Sequence, residues 1–512
     1  MILNSTPSNI KEAYLSEHPS LRPFYQYPIQ QIDFAQVIAD KSREDIDRKL
    51  LQRVIREQYG DLPLSPKSQQ HLEWLGQDNC FTITTGHQLV LYGGPLFTTY
   101  KVLSAAKLAQ HLNDQLDAYR FVPIFWIHTE DHDFEEINHY YPSFGQKKTY
   151  KGNFQSQVGT HLIESSIAEL GPSSSWASHY KAGSSWTDAF RSLSHALFDS
   201  YGVLMLDADH PELKAVFRPV VEQELLDSLA YRSVSTQSQK LVEAQYKQQI
   251  SPREINLFYL DESGRDRITR EGENFSILNR KGQLSQADML QIVQDHPERF
   301  SPNVSLRPLY QEMILPNLAY FGGWGELSYW LQLKELFDQT KVNFPVVLPR
   351  FSATIFEHSE LEAWKALGFD PADIHLPLHK LHQQLLPAVW EDTELIRHQQ
   401  AILAQIDSMT RYIGAEISPT LAKSTIALRV RAQKHLQRIQ KKAGKVMRNR
   451  FPTTFQEAER LKIRIQPDGQ VQERVLGVFS FPEISPERLV EMVWQAVEPL
   501  KFEHQYLVIE EL

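Results

Sequence analysis

The chain contains very little cysteine and no long apolar run. Cys80 is the single cysteine in 512 residues, which excludes intramolecular disulfides and metal clusters that need several thiolates. A lone cysteine at the head of an apolar strand is typical of a core position. No stretch reaches the roughly 18 uninterrupted apolar residues of a membrane-spanning helix, and the first residues lack a signal-peptide pattern. We therefore expect a cytoplasmic protein that does not enter a membrane.

Acidic residues are missing from one stretch of an otherwise acidic chain. The formal net charge is −10, which argues against nucleic acid as a partner of the whole chain. Residues 417–456 nevertheless contain no Asp or Glu, while Lys and Arg recur along them. This pattern is typical of a solvated helix face, and the alternative is a surface for an anionic partner.

Short apolar runs alternate with polar loops and helix-like segments. The clearest runs are 81–85, 121–127, 203–207 and 345–349. Apolar strands separated by helices indicate an α/β fold with a parallel sheet that is covered on both faces. The stretches near 142–185 and 250–300 fit this alternation poorly, and we interpret them as insertions.

Residues 378–450 carry a heptad pattern. Apolar residues recur at spacings of 7, 4, 3 and 4 from Leu395 to Ile413, and a similar pattern runs from Leu421 to Val446. The pattern predicts two long helices in an antiparallel coiled-coil hairpin. An apolar seam that one hairpin leaves uncovered favours a homodimer through this segment, and the alternative is a hairpin packed against its own core.

The chain is too long for a single core, so two or three domains are expected. We predict a Rossmann-like catalytic core at 1–377, the helical coiled coil at 378–450, and a segment at 451–512 that returns to the core. The motifs LKIRIQPDGQVQERVLGVFSF and YLVIEEL in this last segment have strand character.

A glycine-containing loop is predicted after the first apolar run. Gly86 and His87 follow this run directly, and Gly93 and Gly94 precede Pro95, which fixes the start of a helix. Such glycines let the backbone approach a ligand, and a helix N-terminus favours an anion. The spacing matches neither a dinucleotide-binding fingerprint nor a P-loop, so a tight turn without a ligand is the alternative.

Five carboxylates and two histidines follow the second apolar run, in the motif FWIHTEDHDFEE. Crowded carboxylates raise each other's pKa where they are partly desolvated, and a functional site tolerates this cost better than an idle loop does. A general base, a binder of ammonium and a metal ligand are all open roles, and a solvated acidic loop is the alternative. His128, Asp131 and His132 could join His87 around zinc, although the spacing does not require it.

Further candidate residues lie in FSPNVSLRPLYQE, in YFGGWGELSYWLQLK and after the last apolar run. They are Asn303, Arg307, Gly323, Glu326, Tyr329 and Arg350. A guanidinium can form paired hydrogen bonds with a carboxylate or phosphate, and a structural ion pair is the alternative for each arginine. Because His87, the acidic motif and Arg350 each follow a predicted parallel strand, we expect them to meet at one sheet edge and to share a pocket with Arg307.

Six motifs in chain order resemble one protein family. They are TTGHQ…GGPLFTTYK, FWIHTEDHDFEE, REINLFYL, SPNVSLRPLYQE, GGWGELSYWLQLK and QVQERVL. They resemble the cysteine ligase family of bacillithiol biosynthesis, called BshC, over essentially the whole chain. The chain departs from the pattern at His87, where glutamine is expected, and at Trp324, where proline is expected after two glycines.

The resemblance implies a Rossmann-type core related to class I aminoacyl-tRNA synthetases, with insertions and a coiled coil used for dimerisation. It implies amide formation between cysteine and the amine of glucosaminyl-malate, with ATP as the expected activator and no metal assigned. The alternative function is nucleic-acid binding on a synthetase-like core.

The resemblance also assigns candidate site residues. Gly86, His87 and Gln88 occupy the place of the synthetase HIGH signature. The residues that could accept the proton of the sugar ammonium are Asp131, His132 and Asp133. The expected substrate- or nucleotide-binding residues are Thr85, Gly86, His87, Gln88, Gly94, Asn303, Arg307, Gly323, Glu326, Tyr329 and Arg350.

Overall fold

The computed structural model describes residues 9–152, 154, 157–172 and 174–510. The chain divides into two compact units. The first comprises Met1–Ala353 and Glu473–Gln505, and the second comprises Thr354–Gln472 and Tyr506–Leu512. The limits predicted from the sequence, at 377 and 450, fall inside the second unit.

The strands include the four apolar runs identified in the sequence. In chain order, the strands are β1 (Cys80–Gln88), β2 (Arg120–His128), β3 (His139–Ser143), β4 (Gln146–Thr149), β5 (Leu204–Asp207), β6 (Leu257–Asp261), β7 (Gly264–Glu271), β8 (Asn274–Ile277), β9 (Leu284–Ser285), β10 (Phe300–Pro302), β11 (Asn317–Gly322), β12 (Val346–Pro349), β13 (Ala353–Glu357) and β14 (Gln505–Ile509).

The α-helices surround the strands of the first unit and make up most of the second. In chain order, they are α1 (Ile10–Leu15), α2 (Phe34–Lys41), α3 (Arg48–Tyr59), α4 (Pro66–Trp74), α5 (Leu96–Gln115), α6 (Phe134–Ile137), α7 (Ser174–Ala177), α8 (Trp186–Phe198), α9 (Pro211–Asp227), α10 (Leu229–Glu243), α11 (Gln286–Asp295), α12 (Arg307–Ile314), α13 (Trp324–Trp330), α14 (Lys334–Thr340), α15 (His358–Ala366), α16 (Leu378–Val389), α17 (Thr393–Tyr412), α18 (Pro419–Arg450), α19 (Pro452–Ile465) and α20 (Pro486–Ala496).

A parallel sheet forms the centre of the first unit. Its strand order is β12-β11-β1-β2-β5, and each neighbouring pair is parallel. The chain adds β2 and β5 on one side of β1 and later adds β11 and β12 on the other side. This change of direction places a topological switch point at the carboxyl ends of β1 and β11, where open α/β sheets bind ligands. The Rossmann-type α/β core predicted from the sequence is confirmed.

The sequence analysis misplaced the end of β1 and did not identify β11. β1 continues through Gly86 and His87 to Gln88 because β2 runs beside it as far as His128. The prediction of a loop at Gly86 is therefore wrong. β11 is completely buried between β1 and β12. It was missed because its second half overlaps the start of the motif YFGGWGELSYWLQLK, which we had interpreted only as a ligand-binding segment.

The stretch 250–300 contributes most of a second sheet. This sheet is antiparallel, and its strand order is β10-β6-β7-β8-β9. The stretch 142–185 contains the end of the β3–β4 hairpin and the short helix α7 in its described part. The second sheet contributes side chains to the site described below.

The second unit contains the predicted helical hairpin. α17 and α18 are joined by the π-helical turn Ile413–Ile417. Three contacts connect successively more distant positions of the two helices, namely Asp407 with Arg429, Gln399 with the Leu436 carbonyl, and Asp392 with Gln440. This order of contacts makes the helices antiparallel, so the hairpin prediction is confirmed.

The returning segment has less strand character than its sequence suggested. β14 pairs with β13 as predicted, but LKIRI lies in α19, and short 3-10 turns follow at 467–480. The buried residues of α19 are Phe455, Ala458, Leu461 and Ile465. Their spacing of three and four residues is that of one helix face, and it outweighed the local alternation on which we had based the strand prediction.

Candidate functional site

A cavity of about 460 Å³ lies in the first unit beside the carboxyl ends of β2 and β5. We call it the arginine cavity, because Arg253, Arg265, Arg267 and Arg307 line it. The predicted site residues that line it are Asp131, Asn303, Arg307 and Tyr329. The structure therefore brings together one acidic and three other candidates from three separate motifs.

The second sheet supplies the arginines that the sequence analysis missed. Arg265 and Arg267 lie on β7, and the Arg265 guanidinium lies 3.9 Å from the centre of the Phe258 ring. Arg265 donates to Ser301 Oγ at 3.1 Å, and Arg307 donates to the Tyr329 hydroxyl at 3.2 Å. Within the described residues, no carboxylate lies within 4.0 Å of any of the four guanidiniums. Their positive charge is thus available to a ligand.

Carboxylates line the arginine cavity together with the arginines. Glu130 and Asp209 both pair with the buried Lys214, at 2.5 and 2.7 Å. Burial raises the pKa of Glu130, and Lys214 opposes that rise. Asp131 accepts from the Gln88 side-chain amide at 2.6 Å and from the His132 backbone N–H at 2.8 Å. Gln88 therefore connects the end of β1 to the acidic motif.

His132 and Asp133 do not line the arginine cavity. His132 is half exposed, and its Nδ1 lies 3.2 Å from the Arg265 guanidinium. The Asp133 side chain caps α6 by accepting from the Glu136 backbone N–H. Of the three predicted proton acceptors, Asp131 is the one that faces the cavity.

Lys101 forms the centre of a buried polar cluster that the sequence analysis did not single out. It is 2% exposed, and its ammonium donates to the Gly86 carbonyl at 2.5 Å and lies 2.7 Å from Glu326. Glu326 also accepts from the Tyr320 hydroxyl and the Gly323 N–H. Burial would raise the pKa of Glu326, but Lys101 lowers it to about 2. A lysine at the end of the motif GGPLFTTYK, inside an otherwise apolar helix, was the available signal.

Two buried imidazoles lie next to this cluster. Among the described residues, the Nε2 atoms of His87 and His128 have no hydrogen-bond partner. Burial lowers the pKa of His87 to about 3, and burial together with Arg307 and Lys101 holds the pKa of His128 far below its usual range. A Cβ atom on Gly86 would lie 2.9 Å from His128 Nε2. Glycine at this position therefore accommodates an imidazole.

The remaining predicted residues have contacts inside the protein. Arg350 forms two hydrogen bonds with Glu473, at 2.7 and 3.0 Å, so its guanidinium is engaged and it does not line the cavity. Thr85 donates to the Phe321 carbonyl at 2.8 Å. Gly94 packs so tightly against Gly477 that a Cβ on the latter would lie 2.3 Å from the Gly94 carbonyl oxygen. The structure does not bring Arg350 and Arg307 into one cavity.

Comparison with known families agrees with this architecture. Residues 1–351 match the family described as the N-terminal Rossmann-like domain of bacillithiol biosynthesis BshC, and residues 353–509 match its C-terminal coiled-coil domain. The chain belongs to the BshC family. The resemblance identified from the six motifs is therefore confirmed.

Several relatives match this chain over nearly its whole length and nearly the whole of their own. A protein from Cytophaga hutchinsonii named "Putative cysteine ligase BshC" is 34% identical, over 96% of this chain and 95% of the relative. Relatives with the same name from Flavobacterium johnsoniae and Flavobacterium psychrophilum are 32% and 33% identical, over 98% and 95% of this chain and over 97% and 94% of their own length.

One solved structure shows only a weak similarity. It is a "putative arginyl t-RNA synthetase" from Campylobacter jejuni, which is 7% identical and covers 77% of this chain and 94% of that chain, with a TM-score of 0.23. A TM-score this low carries no argument about fold or function.

In the part of the chain that the structure describes, no three His, Cys, Asp or Glu side chains are grouped as metal ligands, so the zinc set suggested around His87 is not assembled there. No helix among the same residues is long and apolar enough to cross a bilayer.

Proposed function

We propose that this BshC-family chain is a ligase that forms an amide between cysteine and the amine of glucosaminyl-malate. The observation that carries the proposal is the arginine cavity, in which no carboxylate of the described residues lies within 4.0 Å of the four guanidiniums and which Glu130, Asp131 and Asp209 also line. A cavity lined by both cations and carboxylates suits a ligand that carries both carboxylates and an ammonium group.

The malate arm would bind to the arginines. It brings two carboxylates, and charge-assisted hydrogen bonds to guanidinium are among the strong ones in proteins. Arg307 is half-buried and forms no ion pair with the described residues, and a partly desolvated charge without a partner is costly until an anion compensates it. Arg265 would bind the second carboxylate of the malate arm, because its contacts with Ser301 and Phe258 hold the guanidinium in place.

The sugar ammonium must lose a proton before it can attack a carbonyl. We assign this proton to Asp131, because it lines the cavity and is oriented by Gln88 and the backbone of His132. His128 also lines the cavity, but its low pKa keeps it neutral near pH 7. Its imidazole would orient a ligand by hydrogen bonding.

ATP is the expected energy source, because joining a carboxylate to an amine is unfavourable in water. When bound, it would convert the reacting carboxylate into a better acyl donor. The cavity arginines fit a polyphosphate by charge. Gly86 does not fit a phosphate cradle, because it lies within β1, faces His128 and has its carbonyl occupied by Lys101. The ATP proposal therefore rests on the arginines.

A ligation assay tests the proposed function. Purified full-length protein is incubated with cysteine, glucosaminyl-malate and ATP, and the product is identified by mass spectrometry. We expect a product whose mass equals the sum of the two substrates less one water. Absence of that product, with folded protein and all three reactants present, would contradict the proposal.

We also propose a homodimer through 378–450. Several residues of the predicted heptads remain exposed in the hairpin, namely Ile402, Met409, Leu421, Leu428, Ile439 and Val446. A helical pair that leaves such a stripe uncovered gains stability by burying it against a second copy. Light scattering should report a dimer of the 59.3 kDa chain, and a monomer at micromolar concentration would refute this assembly. Cytoplasmic location and nucleic acid as the alternative partner of α18 stay predictions.

A further inference from the structure

A second cavity, of about 390 Å³, lies on the other side of the end of β2. It is formed by α3, the loop at 157–160, the start of α8 and the end of β5. It shares Thr129 and Asp209 with the arginine cavity. We call it the Arg191 cavity, because Arg191 is the only cation among its lining residues in the described chain.

Arg191 carries a buried charge without an ion pair. The residue is 5% exposed, and no carboxylate of the described residues lies within 4.0 Å of its guanidinium. Its Nε–H has no hydrogen-bond partner there, and its nearest side-chain acceptor, Gln58 Oε1, is at 3.5 Å. Since burying an uncompensated cation is costly, the arrangement favours a ligand that brings an anionic group.

The other donors around Arg191 are already occupied. Trp186 N–H donates to the His161 carbonyl, Thr187 N–H donates to the Gly159 carbonyl, and Asp188 N–H donates to Ser185 Oγ. These bonds satisfy the first turn of α8, so the helix terminus offers a ligand little. The Arg191 guanidinium is the group left to bind an anion.

The same cavity also contains a half-buried carboxylate. Asp207, at the end of β5, accepts from the Thr129 hydroxyl at 2.6 Å and from the Asp209 N–H at 3.0 Å. Burial and Asp209 raise the pKa of Asp207, and Arg191 acts against that rise. Asp207 has no ion pair within 4.0 Å in the described residues, so a ligand cation would stabilise its charged form.

We propose that the Arg191 cavity binds a free α-amino acid, with the ligand carboxylate at Arg191 and its ammonium at Asp207. A zwitterion compensates the buried charge of Arg191 and the half-buried charge of Asp207, and it leaves the net charge of the cavity unchanged. The inference rests on the proposed function, in which this amino acid is cysteine and the aminosugar occupies the arginine cavity. The shared residues Thr129 and Asp209 then form the boundary across which the two substrates meet.

Calorimetric titration of the full-length protein with cysteine tests this assignment. Cysteamine lacks the carboxylate and 3-mercaptopropionate lacks the ammonium, so we expect each to bind at least tenfold more weakly than cysteine. Arg191→Gln should weaken cysteine binding by roughly 10- to 100-fold, the range for losing a charge-assisted hydrogen bond. Arg191→Lys should restore part of the affinity, and malate binding should stay unchanged.

A matched control is Arg232→Gln, since Arg232 is exposed on α10 and we expect its removal to leave cysteine binding intact. Thermal unfolding of each variant checks that the chain is folded. If 3-mercaptopropionate binds as tightly as cysteine, the cavity is a simple anion site and the inference is wrong.

Two results separate this inference from the proposed function. If wild-type protein forms the amide, and Arg191→Gln keeps the wild-type KM for cysteine while Arg307→Gln raises it, the amino acid binds in the arginine cavity. The inference then fails and the ligase proposal stands. If wild-type protein neither binds cysteine nor forms product, both fail.

Discussion

The sheet edge of the first unit and the helical hairpin of the second use arginine and lysine in opposite ways. At the sheet edge, Lys101 and Arg191 are buried and Arg307 is half-buried. Lys101 pairs with Glu326, whereas no carboxylate of the described residues lies within 4.0 Å of the Arg191 or Arg307 guanidinium. In the hairpin, Arg429 and Asp407 form an ion pair in which both side chains are 37% exposed. The comparison shows that a run of basic residues in the sequence is a weak indicator of a binding site, whereas a single buried cation without an ion pair is a strong one.

The largest loss of unfolding free energy should come from breaking the Lys101–Glu326 pair at the sheet edge. Lys101→Met leaves the Glu326 carboxylate, which is 27% exposed, without its partner, and we expect a cost near the lower end of the about 3–5 kcal/mol of unfolding free energy that breaking a fully buried pair takes. Chemical denaturation measures the loss. The double variant Lys101→Met with Glu326→Gln should recover part of it, and a single variant as stable as wild type would show that the pair contributes nothing.

Acidification should lower the unfolding free energy, because His87 is buried and stays neutral in the folded protein. Its pKa is about 3 in the folded protein and near 6.5 when unfolded, so the unfolded chain binds the extra proton first as pH falls. Stability therefore decreases from about pH 6.5 down to about pH 3, by at most about 1.4 kcal/mol per pH unit. His87→Gln should flatten this slope in denaturation measured across that window. An unchanged slope would mean that His87 is not the group responsible.

Removing one cavity arginine should affect catalysis more than folding. Arg265→Gln takes away a charge-assisted contact to the malate arm, and we expect kcat/KM for glucosaminyl-malate to fall by roughly 10- to 100-fold. The ligation assay gives this value. Arg429→Gln is the matched control in the hairpin and should keep full activity. Equal losses of kcat/KM in the two variants would show that the arginines of the cavity matter no more for catalysis than those of the hairpin.

The smallest loss of unfolding free energy should come from breaking the exposed Arg429–Asp407 pair of the hairpin. Arg429→Gln removes its contact with Asp407, and surface pairs contribute about 1 kcal/mol or less. Raising the salt concentration should reduce even this difference, since screening acts on exposed charges. A loss of several kcal/mol would show that the pair is shielded, as it would be inside a dimer interface.

Four of the five strands of the central sheet could be predicted, because β1, β2, β5 and β12 are continuous apolar runs, whereas β11 was missed. The hairpin could be predicted for a similar reason, since its heptads recur over many turns. α19 was missed because its buried residues lie within a stretch that also alternates locally. The end of β1 was misjudged at Gly86, because glycine usually ends a strand and here accommodates His128.

The site could be predicted only where its residues follow a strand or lie in a recognisable motif. Asp131 and Arg307 were identified in this way. Arg265 lies on a strand of the second sheet, which had been interpreted as an insertion, so its proximity to the acidic motif could not be read from spacing. Arg350 was predicted to bind a ligand because its actual partner, Glu473, lies 123 residues further along the chain. An ion pair between residues so far apart cannot be recognised from sequence spacing.

The central claim is that the arginine cavity, and not the Gly86 segment, holds the dicarboxylate substrate. A crystal structure of the full-length protein soaked with glucosaminyl-malate tests it most directly. The account predicts ligand density with its carboxylates at Arg265 and Arg307 and its amine towards Asp131. Density that instead displaces Glu473 from Arg350, with the arginine cavity empty, would contradict it.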